Sequence, residues 1–170
     1  MDDRIGRWLD AGPNGDITLR ELATHTSGLP RLAPSHTPGM VNPYAYLTAD
    51  VAEADLRTVV RRPDAGWSYS NFGYQLLGLA LQRAAGKEYP ALLEERVLGP
   101  LGMTESGVGP AGDGTPVPGY AGGRRVPRWD QPLPGAGGVE TSRAILAPAS
   151  CRRTRRWAPR CGLPRRPPPA

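Results

Sequence analysis

The chain is poor in several residue types. Two cysteines occur in 170 residues, Cys151 and Cys161, and neither has a histidine nearby. Two thiols alone do not make a zinc site, although a local disulfide between them stays open. Lys87 is the only lysine; Ala84, not serine, stands three residues before it, so no Ser-x-x-Lys pair exists. No apolar run reaches the roughly 18 residues that a membrane-spanning helix requires. The start, Met1-Asp2-Asp3-Arg4, is charged and carries no apolar leader segment, so no signal peptide is expected. Hydrophobic content is low at 39%, while Gly 22 and Pro 20 predict long loops around one modest core. No internal repeat is found.

The net charge of +5 is a property of one end. Residues 151–170 hold seven arginines and no acid, whereas residues 1–150 hold 14 basic and 16 acidic residues, a net of −2. The body of the protein is therefore close to neutral. An arginine-rich tail could contact nucleic acid or an anionic membrane. It lacks periodicity, however, and reads better as a disordered tail.

Ile5, Trp8 and Leu9 share one helical face or mark an extended approach. After the turn Pro13-Asn14-Gly15, Thr18 and Glu21 have the spacing of a capping box for a short helix with Leu19, Leu22 and Ala23 as its apolar stripe. Gly28 suits a left-handed position after it, and Pro30 prevents continuation. A second helix is predicted over Thr48–Arg62, capped by Thr48 or Asp50. The turn Pro63-Asp64-Ala65-Gly66 precedes Trp67-Ser68-Tyr69-Ser70-Asn71. The strongest helix is Phe72–Ala85, apolar nearly all round and closed by Gly86, so it must be buried. Tyr89–Leu98 is read as a further helix with Leu92, Leu93 and Val97 inward. Beyond Gly107, Tyr120 and the stretch Arg124–Trp129 read as brief strands. Pro134-Gly135-Ala136-Gly137-Gly138 reads as a close backbone approach that only small residues permit. Thr141-Ser142 would cap another helix, but its pattern never arrives.

The run that carries chemistry is Tyr69-Ser70-Asn71. A phenol and a carboxamide two residues apart at the mouth of a helix can face one cleft. The plainer reading is a turn in which Asn71 caps the helix and Tyr69 packs its ring. His25 beside Ser27 invites a catalytic reading too. Ser27 lacks the G-x-S-x-G elbow of a nucleophile, and a lone histidine is more often structural or switch-like than catalytic.

Four segments, in order, resemble the beta-lactamase-related serine hydrolases, a family that includes class C beta-lactamases, D-alanyl-D-alanine carboxypeptidases and esterases. They are Ile17–Leu22 with His25-Thr26-Ser27-Gly28-Leu29-Pro30, Tyr69-Ser70-Asn71-Phe72-Gly73-Tyr74, Val97–Met103, and Gly135–Ser142. The resemblance implies that Tyr69 and Asn71 are the catalytic residues present here. The tyrosine of Tyr-x-Asn would shuttle a proton to and from a nucleophilic serine and the leaving group. The asparagine would orient a lysine and the substrate amide. The family's serine and lysine sit in a Ser-x-x-Lys helix, which this sequence lacks, and a late strand supplies an oxyanion N–H. That helix would lie upstream of the segment Met1-Asp2-Asp3-Arg4-Ile5 resembles.

The expected fold is therefore α/β (α+β): the helical, active-site portion of the serine beta-lactamase/transpeptidase-like fold, with most of the antiparallel sheet missing. Residues 1–143 form the partial domain, and 144–170 an Arg/Pro-rich tail whose composition break reads as a reading-frame change. The expected activity of the parent is acyl-serine hydrolysis of a small-molecule amide or ester such as a beta-lactam, a D-Ala peptide or a carboxylic ester. The present chain is expected to be inactive. No cofactor and no metal are implied, and the family is often exported. The alternative is a non-catalytic binding remnant with a basic tail.

Overall fold

Ile5 begins the core. In the computed structural model, which describes residues 1–37, 42, 44–104, 106–109, 118–127, 129 and 131–141, a single 3-10 turn at Ile5–Arg7 buries Ile5 and Leu9 and leaves Trp8 half-buried. The shared face of these residues is thus used, but by one tight turn rather than by a helix. An antiparallel bridge, Arg4 with Thr18, brings Ile5 beside Ile17, where the Ile5 N–H donates to the Ile17 carbonyl at 2.7 Å. Thr18 then caps helix α1 (Leu19–Ala23), and its reciprocal bond with Glu21 completes the capping box. Two orphan amides are satisfied in this way.

Helix α2 spans Ala49–Thr58 behind a Thr48 cap. It stops four residues short of the expected Arg62. The cause lies in an earlier turn: the Asn14 carboxamide donates to the Leu56 and Val59 carbonyls at 2.7 and 2.9 Å. These bonds satisfy carbonyls at the helix end, and Val59 turns to an extended conformation. Arg61 and Arg62 then serve elsewhere. Arg61 pairs with Asp16, and the Arg62 N–H donates to the Gly28 carbonyl. Gly28 has φ +72°, and a Cβ there would meet the Arg62 carbonyl at 2.4 Å, so glycine is required on both counts.

Helix α3 (Asn71–Ala85) closes with Gly86 in the left-handed region. Its Phe72, Leu76, Leu79 and Ala80 are buried against α1, the N-terminal turns and a 3-10 turn at Pro134–Ala136. Each such large side chain contributes about 1.5–3 kcal/mol on burial. The glycine-rich approach is where it was expected. A Cβ on Gly135 would stand 2.5 Å from the Tyr74 carbonyl, and one on Gly78 would stand 3.0 Å from the Gly135 Cα. Glycine facing glycine sets this contact.

The helix expected over Tyr89–Leu98 is broken into two pieces and continues into a third. α4 (Tyr89–Leu93) runs into a π-helical segment, Glu94–Leu98, and then into α5 (Gly99–Leu101). The wider turn rotates the apolar face by a residue, so that Leu98 is buried and Val97, expected inward, is exposed. Two small antiparallel sheets complete the described residues: β1 (Ser106–Val108) with β4 (Val139–Thr141), and β2 (Gly119–Ala121) with β3 (Arg124–Val126). Tyr120 lies in β2 as expected. Thr141 belongs to β4 rather than to a cap. Ser142, both cysteines and the arginine-rich tail lie outside the described residues. Helices with only small antiparallel sheets make a mixed α/β fold of the expected class.

Candidate active site

Two loops are laced together in front of α3. The His25 carbonyl accepts from the Ser68 N–H at 2.8 Å, and His25 Nδ1 accepts from the Ser70 N–H at 3.2 Å. The Ser70 hydroxyl donates to the Pro30 carbonyl at 2.6 Å while accepting from the Gly73 N–H at 2.9 Å. The Arg31 carbonyl takes the Asn71 and Phe72 amides at 2.9 and 3.3 Å. Segment 25–31 thus satisfies the free N–H groups at the start of α3. Ser70, not Asn71, is the cap, so the plain reading of Asn71 as the capping residue is wrong.

His25 is the only non-glycine residue with positive φ, at +58°, among the described residues. It sits just past α1, where its N–H bonds the Leu22 carbonyl and the Thr26 N–H bonds the Glu21 carbonyl. That is the Schellman closure, normally occupied by glycine at this position. A histidine there carries some backbone strain. Its ring returns contacts: it packs 4.6 Å from the Tyr69 ring and 4.6 Å from the Tyr74 ring, with Trp67 edge-on at 6.0 Å. Tyr74 secures the other side by donating to the Ala23 carbonyl at 2.8 Å. The structure therefore places His25 as a brace between the end of α1 and the start of α3.

Tyr69 is held by its ring and open at its hydroxyl. The ring touches His25 and lies under the Arg31 guanidinium at 5.3 Å, the residue is 42% exposed, and its OH makes no hydrogen bond to the described residues. Asn71 is half-buried, and its amide nitrogen donates to the Tyr44 hydroxyl at 3.4 Å. Tyr44 in turn meets Trp129 edge-on, 5.9 Å between centroids. Sequence reading gave Arg31 and Tyr44 no role and took Trp129 only as the end of a brief strand. No local pattern ties residues 44 and 129 to 71, because the contacts depend on chain return. Lys87 cannot supply an ammonium to Tyr69: it follows α3 at the far end and pairs with Glu95.

A bidentate ion pair also stands at the far end of α3. Glu53, buried on α2, takes both arms of Arg83 from α3 at 2.7 and 2.8 Å and accepts the Asp10 amide at 2.6 Å. Arg83 also donates to the Trp8 carbonyl at 3.0 Å. The Arg83 hydrogen bonds hold the Glu53 carboxyl below the usual carboxylate range, and burial opposes them. This knot fixes α2, α3 and the N-terminal turn together. A cavity of about 490 Å³ lies beside it, between Thr48, Leu79, Arg83, Lys87 and Leu133, and Tyr69 and Asn71 take no part in its lining. Among the described residues no group of three or more His, Cys, Asp or Glu could hold a metal, and no helix is long and apolar enough to cross a membrane.

The same frame occurs in known proteins. The chain is 39% identical over 127 residues to the D-alanyl-D-alanine-carboxypeptidase/endopeptidase AmpH of Escherichia coli, covering 66% of this chain and 31% of AmpH. The solved beta-lactamase/D-alanine carboxypeptidase of Yersinia pestis superposes with TM-score 0.54 at 34% identity, over 64% of this chain and 33% of its own. The class C beta-lactamase of Rhodobacter sphaeroides superposes with TM-score 0.65 at 26% identity, over 85% of this chain and 42% of its own. This chain thus spans between 31% and 42% of the length of these relatives. The family model described as Beta-lactamase matches residues 1–156. With that match over most of its length, and with the fold shared, the chain belongs to the beta-lactamase family.

Proposed function

We propose that this chain carries the proton-shuttling and substrate-orienting part of an acyl-serine hydrolase acting on small-molecule amides or esters, and has no turnover by itself. Tyr69 is the proton carrier and Asn71 the group that meets the substrate amide. The observation that carries the reading is the state of Tyr69: its ring packs on His25 and Arg31, yet the residue is 42% exposed and its hydroxyl has no hydrogen-bond partner among the described residues. A tyrosine kept only for packing gains nothing from an unbonded hydroxyl placed two residues from a half-buried carboxamide. The expected lack of turnover rests on the absence of a Ser-x-x-Lys pair in this sequence, since Lys87 is the only lysine, follows Ala84 by three residues and is engaged with Glu95.

The test has two arms. Incubation with a chromogenic cephalosporin and with a p-nitrophenyl ester should give hydrolysis at the buffer rate. Turnover that Tyr69→Phe abolishes would show a working site and overturn the inactivity. Titration with a simple amide, followed by NMR, should move the side-chain amide signals of Asn71. Silence of those signals at all concentrations would remove Asn71 from substrate contact.

A further inference from the structure

We infer that Asn14-Gly15 is a self-modification site: deamidation of Asn14, gated by the end of α2, releases that helix end in one direction only. The inference is independent of the catalytic reading of Tyr69 and Asn71. Asparagine stands at 14, 42 and 71, followed by Gly15, Pro43 and Phe72. Deamidation uses the next backbone nitrogen as its nucleophile. Pro43 has no N–H to give up. Phe72 carries a side chain that crowds its own nitrogen, and Gly15 carries none.

The reaction exchanges ammonia for water. The Gly15 nitrogen loses its proton and bonds the Asn14 Cγ. The Cγ–Nδ2 bond breaks, and the nitrogen takes up a proton and leaves as ammonia. Water then opens the cyclic imide at either carbonyl, giving aspartate or iso-aspartate, with no oxidation or reduction. In the closed structure both reacting groups are engaged. Asn14 is 4% exposed, and its Nδ2 is held by the Leu56 and Val59 carbonyls at 2.7 and 2.9 Å. The Gly15 N–H donates to the Gly12 carbonyl at 3.3 Å, at the end of the 3-10 turn Gly12–Asn14. The reaction therefore waits on a local opening of this contact, which costs less than unfolding the whole chain.

The product cannot resume the same place. A carboxamide nitrogen offers N–H donors, and an ionised carboxylate offers none. Facing the Leu56 and Val59 carbonyls it repels where Asn14 bonded, and the carbonyls at the end of α2 lose their partner. Iso-aspartate also lengthens the main chain, beside the 3.0 Å bond from the Gly6 N–H to the Gly15 carbonyl that ties this turn to the first one. The segment set free begins at Val59 and leads to Arg61, paired with Asp16, and to Arg62, whose N–H meets the Gly28 carbonyl.

The full chain is aged in mildly alkaline buffer and mapped by mass spectrometry. Residue 14 should convert to aspartate and iso-aspartate while Asn42 and Asn71 persist. Urea below the unfolding transition should speed the conversion. Gly15→Ala fits the fold, since Gly15 has φ −64° and a Cβ there would stand 3.4 Å from the Gly12 carbonyl oxygen, and it should slow the conversion severalfold. In Asn14→Asp the Val59 amide, bonded to the Asp55 carbonyl, should exchange its hydrogen about 10- to 100-fold faster than in the unmodified chain. Aged chain separated by its added negative charge gives the same reading if that variant does not fold. Persistence of Asn14 in the folded chain, while a free peptide of residues 11–18 converts, would overturn the site. A rate indifferent to urea would overturn the gating, and unchanged Val59 protection in the deamidated chain would overturn the release.

Discussion

Residues 5–80 and residues 99–141 are built differently. Among the described residues, the first stretch supplies every large side chain that is fully buried, from Ile5 to Leu76. The second places Leu133 in the core and leaves both strands of the β2–β3 hairpin almost wholly exposed. The first stretch covers itself, because α1, α2, α3 and the N-terminal turns offer one another apolar faces. The second is attached to it, through Leu133 and the Gly78–Gly135 contact. The candidate site straddles the seam: Tyr69, Asn71 and Tyr44 belong to the self-covering part, Trp129 to the attached part.

The comparison breaks first if the core does. Phe72→Ala should cost about 3–5 kcal/mol, the usual penalty for emptying a buried aromatic site. Leu101→Ala, at a residue 66% exposed, should stay within about 0.5 kcal/mol. Urea denaturation of both variants measures the contrast. If the two costs were similar, the stretch after residue 98 would be more deeply involved in stability than its exposure indicates.

Gly135→Ala tests the attachment. Its Cβ would press on the Tyr74 carbonyl, so about 1–3 kcal/mol is expected from overpacking. Hydrogen exchange should show the β1–β4 amides losing protection while α1 and α2 keep theirs. Uniform loss across the chain would mean that the two stretches open as one unit.

What was legible in the sequence follows the same division. The Thr18–Glu21 box, the Thr48 cap, the Gly86 stop and the Gly135 approach were each readable, because each depends on residues within one turn or on the steric limit of glycine. The early end of α2 was not, because Asn14 imposes it from 42 residues away. The π segment at Glu94–Leu98 was not either, since its residues suit an α-helix equally well. At the site, Tyr69 and Asn71 were singled out by motif, and their supports were not. His25 in a left-handed backbone state and Tyr44 under the Asn71 amide are products of chain return.

The Glu53–Arg83 knot gives the comparison a pH dependence. Glu53 binds its proton at lower pH in the folded chain than in the unfolded chain, where a glutamate titrates near about 4.3. The unfolded state therefore takes up more protons as the pH falls through that range. The stability from this group is complete above the ordinary glutamate value and is lost as pH drops through the lowered folded value. Glu53→Gln should cost about 1.5–3 kcal/mol at neutral pH, the range for a hydrogen bond to a charged partner. It should also flatten this part of the acid limb of a stability–pH curve. An unchanged acid limb would mean that the knot is not what holds α2 to α3.

The smallest effects separate packing from chemistry at the site itself. Tyr69 and Tyr74 both press on the His25 ring at 4.6 Å, but only Tyr74 spends its hydroxyl on the fold, at the Ala23 carbonyl. Tyr74→Phe should therefore cost about 0.5–1.5 kcal/mol, the net worth of one hydrogen bond. Tyr69→Phe keeps the ring contacts and removes a hydroxyl with no partner among the described residues, so its cost should stay within about 0.5 kcal/mol. Denaturation midpoints compared at equal slope would show the difference. Equal costs for the two would mean that the Tyr69 hydroxyl has a structural partner, and the reason for treating it as a free proton carrier would disappear.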